Sequence, residues 1–200
     1  KICEQRSSHK VGIVGEIFLK FNPFAQKDVT SWLINQKIEV IPPLISDFFM
    51  QGFVNLKVRQ NQHLQRKLTP DFVIDWLYKK VQKQINKVNE IGKSFNYFIP
   101  FESIFEKAEK AKQVISLGTQ FGEGWLISGE ILSFASQGVN HVISLQPFGC
   151  IANHIVEKGI EKRIKSLCPQ MNILSLDFDS SVSDVHITHK LLLYIDNINN

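Results

Sequence analysis

Val11-Gly12-Ile13-Val14-Gly15-Glu16-Ile17-Phe18 is a near-continuous apolar run rich in β-branched residues. A strand with one wet face alternates polar and apolar residues. A strand apolar on both faces belongs inside a parallel sheet covered by helices on each side. Outward from this run, the loop Asn22-Pro23-Phe24 leads to a short amphipathic helix over residues 26–35, with Val29, Trp32 and Leu33 on one side. Residues 38–41 then make a second strand, stopped by Pro42-Pro43. The three pieces form a βαβ unit.

The next stretch, residues 44–116, reads as almost wholly helical. It holds a buried helix carrying Phe48, Phe49 and Phe53, a helix over 71–91 and a third around 101–115. Pro70 and Pro100 stand where the latter two would begin, in keeping with proline in a first turn. So long a stretch without a strand exceeds a simple crossover and is expected to be a helical insertion. Strand–helix alternation returns with a helix over 122–137, which turns Ile127, Ile131, Phe134 and Ala135 inward and stops at Gly138. A strand at 141–146, a helix at 153–167, a strand at 172–176 and a helix at 183–195 complete the chain. The expected fold is a three-layer α/β domain over residues 1–200, with a Rossmann- or flavodoxin-like parallel sheet of about four strands and an insertion at 44–116. Right-handed crossovers place the strands in the order 2-1-3-4.

Composition bounds the function. Hydrophobic content of 44% and charged content of 21% are those of a globular chain. No apolar run reaches the roughly 20 residues that span a bilayer, and no secretory leader pattern is present. The 3 cysteines are odd in number and widely spaced. That argues against a disulfide framework and for a reducing, cytoplasmic setting. The chain opens Lys1-Ile2-Cys3-Glu4 without an initiator Met, which reads as a piece of a longer protein. The net charge of +4 is modest. Its excess falls between Lys57 and Lys93, where 9 Lys and Arg face only Asp71, Asp75 and Glu90. On the helix over 71–91 an apolar stripe of Ile74, Leu77, Val81, Ile85 and Val88 is expected to face inward, with the lysines on a solvated side. Neither a nucleic-acid nor a membrane partner is expected.

In the order 2-1-3-4 the chain reverses direction between the first and third strands, and open α/β sheets bind ligands outside the strand carboxyl ends at that switch point. Three segments meet there. One follows the first strand, with Glu16, Asn22, Pro23 and Phe24. The second opens the helix before the third strand, with Gly122, Glu123 and Gly124. The third follows that strand, with Gln146, Pro147, Phe148, Gly149, Cys150, Asn153 and His154. These residues are expected to line one cleft.

Cys150 stands at a strand exit and a helix start. A helix N-terminus favours a thiolate, which serves a metal, an iron–sulfur cluster or an electrophile equally well; the alternative is a small buried residue at a turn. His154, four residues on, reaches the same helix face or caps the surface. Glu123 and Glu130 share a helix face, and Glu123 also offsets the helix dipole. Asp177 and Asp179 follow the fourth strand at the same edge or cap a helix. Gly12-x-x-Gly15-Glu16 is only part of a nucleotide-binding loop. Cys168, before Pro169, reads as structural, and Cys3 lies in a tail. A [4Fe–4S] cluster wants three or four thiolates. Cys3, Cys150 and Cys168 are not expected to converge, so further ligands would come from outside this chain. The residues alone leave the catalytic groups undefined.

The stretches Val11-Gly-Ile-Val-Gly-Glu-Ile17 with Phe21-Asn-Pro-Phe24, Glu123-Gly-Trp-Leu-Ile-Ser-Gly-Glu130 and Leu145-Gln-Pro-Phe-Gly-Cys-Ile-Ala-Asn-His-Ile155 together resemble the acyl-CoA dehydratase activase-related proteins, described as activators of 2-hydroxyglutaryl-CoA dehydratase. The likeness is to their C-terminal, dehydratase-subunit-like region. It runs from about Val11 to Asn200 and is weakest in the insertion. Two features depart from the family's pattern: Ala152 stands in place of proline, and His186-Ile187-Thr188-His189 replaces a stretch richer in Asn and Arg.

The resemblance implies anaerobic redox chemistry. An ATPase activase module passes an electron to an iron–sulfur protein, and Cys150 matches the family's cluster cysteine. A [4Fe–4S]-type cluster is implied for the full-length protein and none for this stretch by itself. The partner implied is the ATPase activase module or a dehydratase subunit. Two other readings remain open at this point. One is a docking domain that keeps the fold without a cluster. The other is a small-molecule α/β enzyme that uses the cleft for a CoA ester or another anion.

Overall fold

The computed structural model describes residues 8–66, 70–179 and 183–199. Its sheet is parallel throughout, in the order β2-β1-β3-β4, with β1 at Lys10–Gly15, β2 at Glu39–Ile41, β3 at His141–Pro147 and β4 at Asn172–Phe178. β1 pairs with β3 from Val11↔His141 to Gly15↔Leu145, and β3 with β4 from His141↔Asn172 to Pro147↔Phe178. The α/β class and the strand order are those expected from the sequence.

The pleat distributes β1 between two cores. Val11 and Ile13 join a cluster with Val29 and Leu33 of α2 (Val29–Asn35) and Ile187, Leu191 and Tyr194 of α8 (Asp184–Asn199). Val14 and Val142 face the opposite side, against Ile127, Ile131 and Phe134 of α6 (Gly124–Ser136) and Ile160 and Ile164 of α7 (Lys158–Leu167). Helices therefore cover both faces, which is why β1 carries no polar alternation. Gly12 belongs to this packing, since a Cβ there would lie 2.6 Å from the Phe134 ring.

The remaining helices build a third core on the outer side of α6. They are α3 (Ile45–Asn61), α4 (Asp71–Gly92) and α5 (Ile104–Ala111). Met50, Val54, Ile85, Ile104 and Ala108 pack against Trp125 and Leu126. Trp125 Nε1 donates to Asn55 Oδ1 at 2.7 Å. Among the described residues, 44–116 contain no strand. α5 opens with a capping box, in which Ser103 Oγ accepts from Glu106 N and the Glu106 carboxylate accepts from Ser103 N.

Four expectations are corrected. The run 11–18 is not one strand: β1 ends at Gly15, and Ile17–Phe21 is a helix, α1. Gly15 has φ +107°, and a Cβ there would fall 2.2 Å from the Leu145 carbonyl oxygen, so the turn admits glycine alone. The helix expected from 26 begins at Val29, after a turn in which Lys27 and Asp28 both take positive φ. The helix at 153–167 starts as a π-helix, Ala152–Glu157, before becoming α7. Finally, the insertion buries fewer apolar side chains than expected. Phe49 is exposed, and on α4 Ile74 and Ile85 are buried while Leu77, Val81 and Val88 point outward.

Candidate functional site

The carboxyl ends of β1, β3 and β4 open on one edge of the sheet. A cleft of about 500 Å³ lies there, lined by Glu16, Phe18, Leu19, Phe24, Ala25, Lys27, Pro147, Phe178, Asp179 and Asp184. Of the residues expected to line it, Glu16, Phe24 and Pro147 do. Phe18, Lys27, Phe178 and Asp184 were not expected from the sequence. Phe18 closes the run read as the first strand, Lys27 lies in the turn before α2, and Phe178 and Asp184 stand at the end of β4 and the start of α8.

Glu16 and Glu123 are held by α1. Glu16 N donates to Leu145 O at 3.0 Å, and its carboxylate caps the helix by accepting from Leu19 N at 2.9 Å. Glu123 is buried, and its Oε1 accepts from Ile17 N at 2.8 Å. Burial pushes the Glu123 carboxyl above the ordinary range, against the pull of the Ile17 amide and Lys20. Glu123 therefore lies beneath the cleft as a support for α1 and does not line it. Gly124 is buried too, since a Cβ there would fall 2.2 Å from Thr119 O. Gly122 is exposed, and a Cβ placed on it would lie 3.5 Å from the Ala152 Cβ of the π-helix. Asn22 holds the loop after α1, its Oδ1 accepting from Ala25 N at 3.2 Å; Pro23 and Phe24 project from that loop.

The β3 exit divides between a buried and an exposed part. Gln146 is fully buried and donates through Nε2 to Glu157 Oε2, while Ser175 Oγ donates to Glu157 Oε1 at 3.0 Å. Among the described residues no cation bonds Glu157, and burial pushes its carboxyl up to about 7. Past Pro147 the chain surfaces. Phe148 and Gly149 are exposed, Gly149 at φ +79°, and Cys150 is half-buried, its carbonyl accepting from His154 N at 2.8 Å. His154 Nε2 lies 3.2 Å from Asp177 Oδ1, and its ring meets Phe148 edge-on at 5.8 Å. The side chain of Asn153 lies outside the described residues.

Two further facts define what this edge can do. Large apolar side chains project from three of its segments: Phe18 and Phe24 in and after α1, Phe121 before α6, and Phe148, Ile151 and Ile155 along the β3 exit and its π-helix are each more than half exposed. A [4Fe–4S] cluster, by contrast, does not fit the described residues alone. Cys150 offers one sulfur, and Cys168 is at the opposite end of α7, packed into the sheet's second core. Among the described residues no three His, Cys, Asp or Glu side chains are grouped to hold a metal ion. Nor is any helix among them long and apolar enough to cross a membrane.

Two buried charge pairs between the helices are not legible in the sequence. Lys20 of α1 is buried and places Nζ 3.2 Å from both oxygens of Glu130, which α6 buries completely. Lys107 of α5, equally buried, contacts Asp47 of α3 at 2.5 Å. Comparison with family models, with curated proteins and with solved structures returned no match.

Proposed function

We propose that this chain is a docking domain of an activase-related redox system. It presents the carboxyl edge of its sheet to the ATPase activase module or to a dehydratase subunit, and so assists iron–sulfur-dependent electron transfer without holding a complete cluster. One observation carries this reading: six large apolar side chains from three separate segments, the α1 region, the loop before α6 and the β3 exit with its π-helix, are exposed around a single edge. A monomer seldom leaves such a patch bare, and an aromatic centre with a polar rim is how protein interfaces are built. Glu16, Lys27, Asp179 and Asp184 supply the rim.

The test is capture of a purified activase module by the 200-residue chain. Phe24→Ser with Phe148→Ser should weaken it at least ~10-fold, since each removes a large anchor from an exposed position. Undiminished binding by that double variant would overturn the proposal.

A second reading is favoured by the place of Cys150, half-buried between exposed Phe148 and Ile151. There it would supply one thiolate to a cluster completed by the partner or by sequence beyond this chain. Iron bound by the full-length protein under anaerobic conditions, and reduced in Cys150→Ser, is the expected result. Equal iron in both would dismiss it.

A further inference from the structure

α4 turns two apolar stripes in different directions. Ile74 and Ile85 are buried, and Tyr78 closes the inner side by meeting Phe105 edge to face, ring centroids 4.8 Å apart. The second stripe is Leu77, Val81, Gln84, Val88 and Ile91, spaced 4-3-4-3 along the sequence. Its apolar members are 45%, 38%, 49% and 73% exposed in chain order. A 4-3 spacing repeats every 3.5 residues, the period of a seam between two packed helices. β-branched Val81 and Val88 fall at alternate seam positions, as in two-stranded coiled coils, and Gln84 is the one polar residue among the five.

The flanks of this seam differ. On one side it meets the body of the molecule through Ile85 and Tyr78. On the other side stand Lys80 and Lys87, both exposed, with Lys80 Nζ 3.9 Å from the Trp76 ring centroid. A second copy of this chain fits poorly. Set antiparallel, it would bring lysines against lysines. Set parallel, it would offer the lysines a flank already packed into its own core. A membrane fits poorly as well, because lysines border only one side and Gln84 lies mid-stripe.

We propose that α4 docks an amphipathic helix of a partner protein whose seam is apolar and whose flanking positions are acidic. The charge is complementary to Lys80 and Lys87, and the apolar stripe supplies the contact area. The surface is separate from the carboxyl edge and stands independently of the function proposed for that edge.

The probe is a labelled four-heptad peptide with Leu and Val in the seam and Glu at both flanks, read by fluorescence anisotropy against the 200-residue chain. The same peptide with Lys flanks is the control. The Glu peptide should bind at least ~10-fold tighter than the control, with the advantage shrinking as salt rises. Lys80→Glu with Lys87→Glu should reverse the preference, and Val81→Asp with Val88→Asp should abolish binding of both peptides. Circular dichroism of these surface variants verifies the fold. Equal affinity for the two peptides, or no binding of either at millimolar concentration, would overturn the proposal. So would sedimentation as a dimer through this face. Adsorption to vesicles of phosphatidylcholine and phosphatidylserine without any peptide binding would assign the stripe to a membrane and likewise end it.

Discussion

Glu130 and Glu157 are equally buried, yet they sit in regions that treat a carboxylate in opposite ways. Glu130 lies where α1, α3, α5 and α6 meet, with Lys20 bonded to both its oxygens and the Lys107–Asp47 pair close by. Burial pushes its carboxyl up, while Lys20 and then Lys107 pull it down. Glu157 lies where β3, β4 and the π-helix meet, bonded by Gln146 and Ser175, which are neutral. Lys158, the nearest cation in sequence, is directed instead at Asp177 at 3.5 Å. The Lys20–Glu130 pair carries no net charge whichever partner holds the proton. Glu157 has no such refuge and must gain a proton or bear the cost of a buried charge. One region uses charge to fix helices in place; the other holds a group that titrates near neutrality.

The largest effect should come from breaking the helix-junction pair on one side only. Lys20→Met leaves Glu130 buried without its counter-ion and is expected to cost about 3–5 kcal/mol. In a chain of this size that lowers Tm by roughly 6–20 °C. Lys20→Met with Glu130→Leu removes both charges and should recover most of the loss, because a well-packed apolar pair replaces a buried ion pair at little cost. Thermal melts of the three proteins decide it. A single variant no less stable than the double would mean that the junction does not depend on the pair.

The strand-edge region should show itself through pH. Glu157 has its folded-state value raised to about 7 from 4.5. Between those values the folded chain holds a proton that the unfolded chain has released, so stability falls as pH rises. The loss sets in above pH ~4.5 and is complete once pH passes ~7, with an upper bound of about 3 kcal/mol for a shift of this size. Glu157→Gln cannot titrate and should flatten that part of the profile. A protonated Glu157 also has a hydroxyl to give, and Gln146 Oε1 is a buried acceptor without a partner among the described residues, so the pair is best satisfied below neutrality once the Gln146 amide turns over. Urea midpoints for wild type and Glu157→Gln from pH 5 to 8 are the measurement. Parallel profiles would place the titration elsewhere.

Much of this architecture was legible because periodicity reports burial. Apolar residues on both faces of β1 imply helices on both sides, and from that the strand order and the switch-point edge follow by connection rules. What stayed hidden depends on partners far away in sequence or on backbone shape. Ile17 and Phe18 suit a strand as well as a helix. The choice is made by the Gly15 turn and by Glu16 accepting from Leu19 N, neither of which alters the apolar pattern. Lys20 and Lys107 look like solvated lysines until Glu130 and Asp47 arrive from 110 and 60 residues away. On α4 the spacing revealed apolar positions but not which stripe would find a neighbour. At the edge cleft Glu16, Phe24 and Pro147 lie in the lining, while Glu123 is a prop for α1, because a helix N-terminus needs acceptors and takes the nearest one.

The smallest effect should come from the polar group at the surface end of the strand-edge region. Asp177 lies 3.2 Å from His154 Nε2 and 3.5 Å from Lys158 Nζ, with all three side chains partly exposed. The His154 contact lacks hydrogen-bond alignment, since Asp177 Oδ1 has no hydrogen-bond partner among the described residues. Such pairs are screened by water and salt, so Asp177→Asn should cost no more than ~1 kcal/mol, and less in high salt. The same substitution removes a negative charge close to Glu157, one of the influences that raise its carboxyl. The pH-dependent loss of stability should therefore shift to slightly lower pH in Asp177→Asn while its amplitude shrinks. A shift to higher pH, or a loss of stability as large as that of Lys20→Met, would show that this edge is held together by charge after all. The contrast between the two regions would then fail.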